Sequence, residues 1–177
     1  SRASFPEADV EMRTIDPFGS EWNDLALSHP DASFFHSSAW ARTLAKTYGH
    51  KPFYLSFFSS GAPQALVPMM EVTSAFTGRR GVGLPFSDCC SPLLFQNGDK
   101  STVLSKLSAL AFERAWKYFE LRDPRAFELS VDPAIKYFSH SLSLQQGPDA
   151  LFAGFSSPVR RAIRKAEKSK LSVRVSQ

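Results

Sequence analysis

Cysteine is scarce in this sequence: there are two, Cys89 and Cys90, and they are adjacent. Neighbouring cysteines make a strained intramolecular bridge and are too few for a structural zinc site, which leaves them as buried or idle thiols. Histidine adds no metal chemistry. His36, His50 and His140 stand at no paired spacing with Asp, Glu or Cys, and His29 precedes a proline at a helix end, so each reads as structural and no metal site is expected. A Gly-x-Ser-x-Gly nucleophile elbow is missing. So is any apolar run approaching the roughly 20 residues that cross a bilayer. Ser1 to Glu11 carries alternating charges in place of a signal-peptide core, and a cytoplasmic chain without a transmembrane segment is expected. The sequence has no initiator methionine and its pattern breaks off in a strand, which suggests a piece of a longer protein.

What is present suits one substantial core. The 177 residues are 43% hydrophobic and 21% charged, close to ordinary soluble proteins, and 16 Phe demand several packed aromatic faces. Charge is unevenly spread. Pro158 to Gln177 holds Arg160, Arg161, Arg164, Lys165, Lys168, Lys170 and Arg174 against one acid, Glu167, a local +6. The whole chain sums to +4, so everything before the tail sums to −2 and an anionic partner is to be sought in the tail.

Val10, Met12 and Thr14 alternate with Glu11 and Arg13 and predict a first strand. A helical turn follows over Glu21 to Ser28. A second helix is better marked, with Ser37 or Ser38 as cap, Trp40, Leu44 and Tyr48 at four-residue spacing, and Gly49 to end it. Runs at Pro52 to Phe58 and Ala65 to Val72 around Ser59-Ser60-Gly61-Ala62-Pro63 predict a β-hairpin. Thr77 to Gly81 reads as a second turn, and Pro85 opens a loop because it lacks a ladder donor. The strongest helical periodicity covers Thr102 to Leu121. Alternation returns at Ala126 to Val131, Tyr137 to Leu144 and Leu171 to Val175, with helices at Asp149 to Phe155 and Pro158 to Lys168. Such an order predicts a mixed α/β (α+β) fold, a central mainly antiparallel sheet flanked by helices. Two parts are expected: residues 1–150 as the first domain, and 151–177 as a basic helix and strand beginning a second.

Three places carry candidate chemistry. In the last helix Arg160, Arg164 and Lys168 share one face, flanked by Arg161 and Lys165, while Val159, Ile163 and Ala166 form an apolar stripe. The arrangement suits either a phosphate-binding helix, since guanidinium donors match phosphate oxygens, or a solvated helix end. Thr77-Gly78-Arg79-Arg80-Gly81-Val82-Gly83 fails the Walker pattern. It also misses the acyl-CoA pattern of acetyltransferases, because Gly78 stands at the Gln/Arg place, and no cofactor is expected for this chain. Asp88, in Leu84-Pro85-Phe86-Ser87-Asp88, is a carboxylate on a loop leaving a strand, suited to a ligand or to capping a turn.

Three stretches taken together resemble the FemA/FemB/FemX family of peptidoglycan-bridge transferases and its relatives in exopolysaccharide and envelope gene clusters. They are Phe35-His36-Ser37-Ser38-Ala39-Trp40 leading to Tyr48-Gly49-His50-Lys51-Pro52-Phe53-Tyr54-Leu55; Thr77-Gly78-Arg79-Arg80 leading to Leu84-Pro85-Phe86-Ser87-Asp88; and Phe155 with Arg160 to Lys168. The resemblance spans most of residues 30 to 175. It implies acetyltransferase-like (GNAT-like) domains, of which this chain is the N-terminal part. It also implies acyl or aminoacyl transfer to a peptidoglycan peptide or exopolysaccharide precursor. As substrate-binding residues it implies Asp88 in the precursor cleft and Arg160, Arg161, Arg164 and Lys165 near a nucleotide diphosphate. The partners implied are a nucleotide-sugar or lipid-linked envelope precursor and, through a missing second domain, aminoacyl-tRNA or another acyl donor. The catalytic residues stay unassigned. The alternative is a non-catalytic module that grips a phosphorylated ligand or nucleic acid with its basic helix.

Overall fold

The computed structural model describes residues 10–87, 90–96, 98–122, 134–135, 137 and 142–169. The chain divides into two compact units, Ser1–Asp132 and Pro133–Gln177. The first unit opens with β1 (Val10–Ile15), α1 (Ser20–Leu27), a 3-10 turn (Phe34–His36) and α2 (Ser38–Tyr48). It continues through β2 (Lys51–Pro52), β3 (Tyr54–Ser59), β4 (Ala62–Val67), β5 (Met70–Ser74), β6 (Gly78–Val82) and β7 (Leu93–Leu94). It ends with α3 (Lys100–Glu113) and β8 (Phe119–Glu120). The second unit contains α4 (Pro148–Gly154) and α5 (Ser157–Lys168). The strands expected at 126–131 and 171–175 lie outside the described residues, as does much of the one expected at 137–144.

Helix α2 begins and ends where its sequence says it should. The Ser37 hydroxyl accepts from the Trp40 backbone N–H at its N-terminus, and Gly49 takes φ +66 at its C-terminus, a conformation glycine reaches without a Cβ penalty.

The hairpin β3–β4 turns at Ser60 and Gly61, both at positive φ, which matches the right-handed twist of the strands it joins. One antiparallel register runs from Leu55↔Val67, through the Phe53 N–H donated to the Met69 carbonyl, to Pro52↔Met70 and Lys51↔Glu71. Strands β2–β3 and β4–β5 are therefore two arms of one long hairpin, with a register shift between Phe57 and Phe58. On its near half β1 pairs with β3 and β7 with β4. On its far half β6 pairs with β5, and β8 adds in parallel to β6. Every other pairing is antiparallel, as expected.

Both faces of the hairpin are apolar, and helices cover both. Leu55, Phe57, Ala65, Val67 and Met69 pack with Val103, Leu107, Leu110 and Ala111 of α3. Tyr54, Leu66 and Met70 pack on the other side with Trp22 and Ala26 of α1 and Ala41 and Leu44 of α2. Each fully buried Leu or Val on these helix faces contributes about 1.5–3 kcal/mol, which is how α3 is held to the sheet.

Two expectations need correction. The helix expected over Thr102 to Leu121 ends at Glu113: Ala115 takes φ +52, the chain reverses, and Trp116 turns into the core. Phe112, within that periodicity, is 88% exposed. The turn expected at Thr77 to Gly81 lies at residues 75–77, and Gly78 to Val82 is strand. Gly81 has a different use there. A Cβ on it would lie 2.3 Å from the Trp116 ring, so its missing side chain lets the indole lie on β6.

Candidate functional site

Strands β6 and β7 pair with the same edge of the long hairpin and leave an excess of chain between them. From Met70 to Leu66 the hairpin advances four residues, while the opposing chain goes from Val82 to Leu93, eleven residues. The surplus is extruded as the loop 83–92. Its described part is held at several points. Gly83 N–H donates to the Glu120 carbonyl at 2.7 Å, Leu84 is fully buried, and the Trp40 indole Nε1–H donates to Ser87 Oγ at 2.9 Å. Arg122 Nη1 donates to the Ser87 carbonyl at 3.2 Å, and His36 Nε2–H donates to the Ser91 carbonyl at 2.9 Å.

Two loop residues other than glycine are left-handed, Leu84 at φ +43 and Phe86 at φ +61. Each such conformation costs about 1–2 kcal/mol and persists only where surroundings enforce it. The result is an aromatic shelf. Phe86 stays 57% exposed and stacks on Tyr48 with centroids 4.4 Å apart, and Tyr48 stacks in turn on His50 at 5.8 Å. Asp88, the expected substrate-binding carboxylate of this loop, lies outside the described residues. Tyr48 and Phe86 carried no signal of this pairing, since Tyr48 continued the apolar spacing of α2 and Phe86 stood in a loop.

Next to the loop, Cys90 Sγ lies 3.5 Å from His36 Nε2, a distance that suggests a thiol and its base. The hydrogen bonds exclude that role. The Ser33 backbone N–H donates to His36 Nδ1 at 3.0 Å, so Nδ1 is an acceptor and the ring proton sits on Nε2, where it is given to the Ser91 carbonyl. The neutral ring has no lone pair left for the thiol. His29 is wired alike: Asp31 N–H donates to Nδ1 at 3.2 Å and Nε2–H donates to the Leu94 carbonyl at 2.8 Å. Burial holds the His36 pKa below the ordinary imidazole value, opposed by its hydrogen bond to Ser91. Ser87 is fully buried and already takes the Trp40 donor. Among the described residues no group of three or more His, Cys, Asp or Glu is placed to hold a metal.

Helix α3 has four N-terminal amides, a place that favours anions. Two of the four are capped from within the chain. The Asp99 carboxylate accepts from the Ser101 and Thr102 backbone N–H groups and from both hydroxyls, and these bonds, Thr102 first, hold its pKa below the ordinary carboxylate value.

The other sequence-derived candidates all fall on α5 in the second unit. Arg160, Arg164 and Lys168 line one face with Arg161 and Lys165 beside them, and Val159, Ala162, Ile163 and Ala166 occupy the opposite face. No residue of α4 or α5 is buried. Arg160 donates to the Ala153 carbonyl and to Ser157 Oγ, both at 3.4 Å, and the Arg164 guanidinium lies 5.3 Å from the Phe152 ring centroid. These contacts lay two of the cations along α4. Arg161 and Lys165 are exposed.

Solved acetyltransferases are among the structures to which the chain is similar. A ribosomal-protein-alanine N-acetyltransferase from Brucella melitensis is 14% identical over 76% of this chain and 98% of its own, with a TM-score of 0.46. A GNAT family acetyltransferase from Staphylococcus aureus is 12% identical over 75% and 98%, again at 0.46. An acetyltransferase with acetyl-CoA from Clostridium acetobutylicum is 14% identical over 78% and 98%, at 0.40. No protein-family model matches the sequence, and no curated protein matches it. No helix among the described residues is long and apolar enough to cross a membrane.

Proposed function

We propose that this chain is the N-terminal part of a Fem-like acyl or aminoacyl transferase that works in the cytoplasm on a cell-envelope precursor, a peptidoglycan peptide or an exopolysaccharide intermediate. The observation that carries the reading is the undivided cationic face of α5, with Arg160, Arg161, Arg164 and Lys165 on the side opposite its apolar stripe. A diphosphate offers such a face several oxygens at once, and guanidinium keeps its charge at any relevant pH. The sequence resemblance over residues 30 to 175 supports the same assignment. Asp88 and the loop residues on either side of it are proposed to meet the acceptor part of the precursor. Acyl transfer to an amine needs an activated ester held against a nucleophile and a route for one proton, not a covalent protein intermediate. That fits a loop in which Ser87 already accepts from Trp40 and Cys90 is buried beside an imidazole that has no lone pair for it. The acyl donor, aminoacyl-tRNA or another activated ester, is assigned to a second domain.

Titration of a UDP-linked muropeptide tests this in the full-length protein. Arg160→Ala and Arg164→Ala are each expected to weaken binding by about 1.5–3 kcal/mol, the range of a charge-assisted hydrogen bond, with the melting temperature unmoved. Unchanged affinity in both variants removes α5 from the site. Binding of simple polyphosphate or nucleic acid without any preference for the muropeptide favours the second reading, a non-catalytic module. The absence of any buried residue in α5 is the feature that speaks for that alternative.

A further inference from the structure

Phe76 is the most exposed large apolar side chain among the described residues, at 97%, and Phe112 follows at 88%. A phenylalanine this exposed contributes nothing to the core, yet this one is held out on a hydrogen-bonded turn. Ser74 Oγ accepts from the backbone N–H groups of Phe76 and Thr77 at 3.3 and 3.4 Å, and Arg80 Nη1 donates to Thr77 Oγ1. The β5–β6 turn, residues 75–77, therefore presents the ring at its tip.

Cations gather at the base of this turn from a second segment of the chain. Lys117 N–H donates to the Arg79 carbonyl at 2.9 Å and Arg79 Nη1 donates to the Arg114 carbonyl at 3.2 Å. The strand leaving the turn is thus tied to the chain leaving α3. Gly78 adds to this by what it lacks. A Cβ there would lie 2.8 Å from Lys117 Cε and 3.3 Å from its Nζ, so the bare glycine lets the lysine lie against the turn. Across 74–80 and 112–118 four cations, Arg79, Arg80, Arg114 and Lys117, stand against one acid, Glu113. Arg114 is bound to Glu71, whereas Arg79 and Lys117 are exposed. Phe112 stands two residues before Arg114, on the outward side of the last turn of α3.

Two features select the partner. The cations call for an anionic one. The setting of Phe76 then decides against a protein, because an aromatic anchor in a protein interface sits at the centre of a well-packed patch. Phe76 is flanked by Ser74, Ala75, Thr77 and Gly78 and offers no such patch. A bilayer interface needs no matched pocket: it takes a projecting ring at headgroup depth and meets lysine and arginine with lipid phosphates.

We propose that the β5–β6 turn and the end of α3 form a docking surface for an anionic membrane, with Phe76 inserted at the interface and Arg79 and Lys117 on the headgroups. One ring and a few cations give weak, reversible attachment, suited to a chain in which no described helix crosses a bilayer. The proposal does not depend on the transferase reading, and α5 has no part in it.

Co-sedimentation with vesicles of phosphatidylcholine containing about one third phosphatidylglycerol reads the attachment. The wild-type chain is expected to partition onto them and not onto phosphatidylcholine alone. Phe76→Ser is expected to lower the partition coefficient by about tenfold, and Arg79→Gln and Lys117→Gln by about fivefold each. The melting temperature of Phe76→Ser is expected to stay at the wild-type value. Phe76→Trp is expected to keep the binding, with its added fluorescence shifted to the blue on vesicles and quenched by lipids brominated near the headgroup end. Because α5 is itself cationic, Arg161→Gln combined with Lys165→Gln serves as the comparison and is expected to leave that quenching intact.

The proposal is overturned by a wild-type chain that ignores anionic vesicles, by Phe76→Ser binding as well as the wild type, by Phe76→Trp emission that vesicles leave unshifted, or by quenching that disappears with the α5 pair. Self-association that is lost in Phe76→Ser, without any vesicle binding, gives the surface to a second copy of the chain instead.

Discussion

Glu71 sits in β5 at 8% exposure, and its Oε2 accepts from Arg114 Nε and from Trp116 Nε1, each at 2.8 Å. The Arg114 guanidinium also lies 4.3 Å from the Phe53 ring centroid, so one carboxylate fixes both the cation and the indole that follow α3. The Arg114 hydrogen bond, then that of Trp116, holds the Glu71 carboxyl below its ordinary 4.5 against the opposing effect of burial. A depressed carboxylate pKa stabilises the fold above the unfolded value and loses that contribution as pH falls through the folded one. Glu71→Gln is therefore expected to cost about 1.5–3 kcal/mol near neutral pH, and its difference from the wild type to shrink below about pH 4.5. Urea midpoints measured across that range check both statements. The periodicity over Thr102 to Leu121 put Arg114 and Trp116 inside one helix. The partner that decides both residues is more than forty positions away and leaves no mark on local periodicity.

Among the elements, α2 was legible at both ends because its signals are local: a hydroxyl three residues before the amide it caps, and a glycine where the chain must turn left-handed. Helix α3 was legible only at its face. Its N-terminus depends on Asp99, and Asp99→Ala is expected to lower stability by about 1 kcal/mol in thermal melts. Elsewhere, Gly78 stands at the Gln/Arg place of the acyl-CoA pattern, so calorimetry with acetyl-CoA is expected to find no micromolar affinity in this chain; a clear binding isotherm would reverse that conclusion. Strand β8 escaped notice for a simpler reason. It is two residues long, and its parallel pairing with β6 is set by Gly81 giving way to Trp116.

At the scale of the whole molecule, the concentration of cations in α5 could be read from charge alone, whereas the loop 83–92 needed the sheet register to be recognised as surplus chain. The long hairpin that creates this surplus also carries a hazard. Most sheets forbid a one-residue slip because it would turn the apolar face to water. Here a slip exchanges Leu55, Phe57, Ala65 and Val67 for Tyr54, Leu66 and Met70, and every one of these is buried in the native register. These apolar residues alone do not separate the native hairpin from a misregistered decoy; the buried polar Ser56 and Gln64, side-chain size, the shift at Phe57/Phe58 and the Ser60-Gly61 turn must do so. Gly61 at φ +79 has open space around it, so Gly61→Ala adds only the left-handed penalty of about 1–2 kcal/mol. If the turn chooses the register before the helices dock, that penalty falls on the folding limb of a chevron, slowing refolding by about five- to thirtyfold and leaving unfolding unchanged. A change confined to the unfolding limb would mean that the helices, arriving first, select the register from outside, and that the turn merely closes what they have chosen.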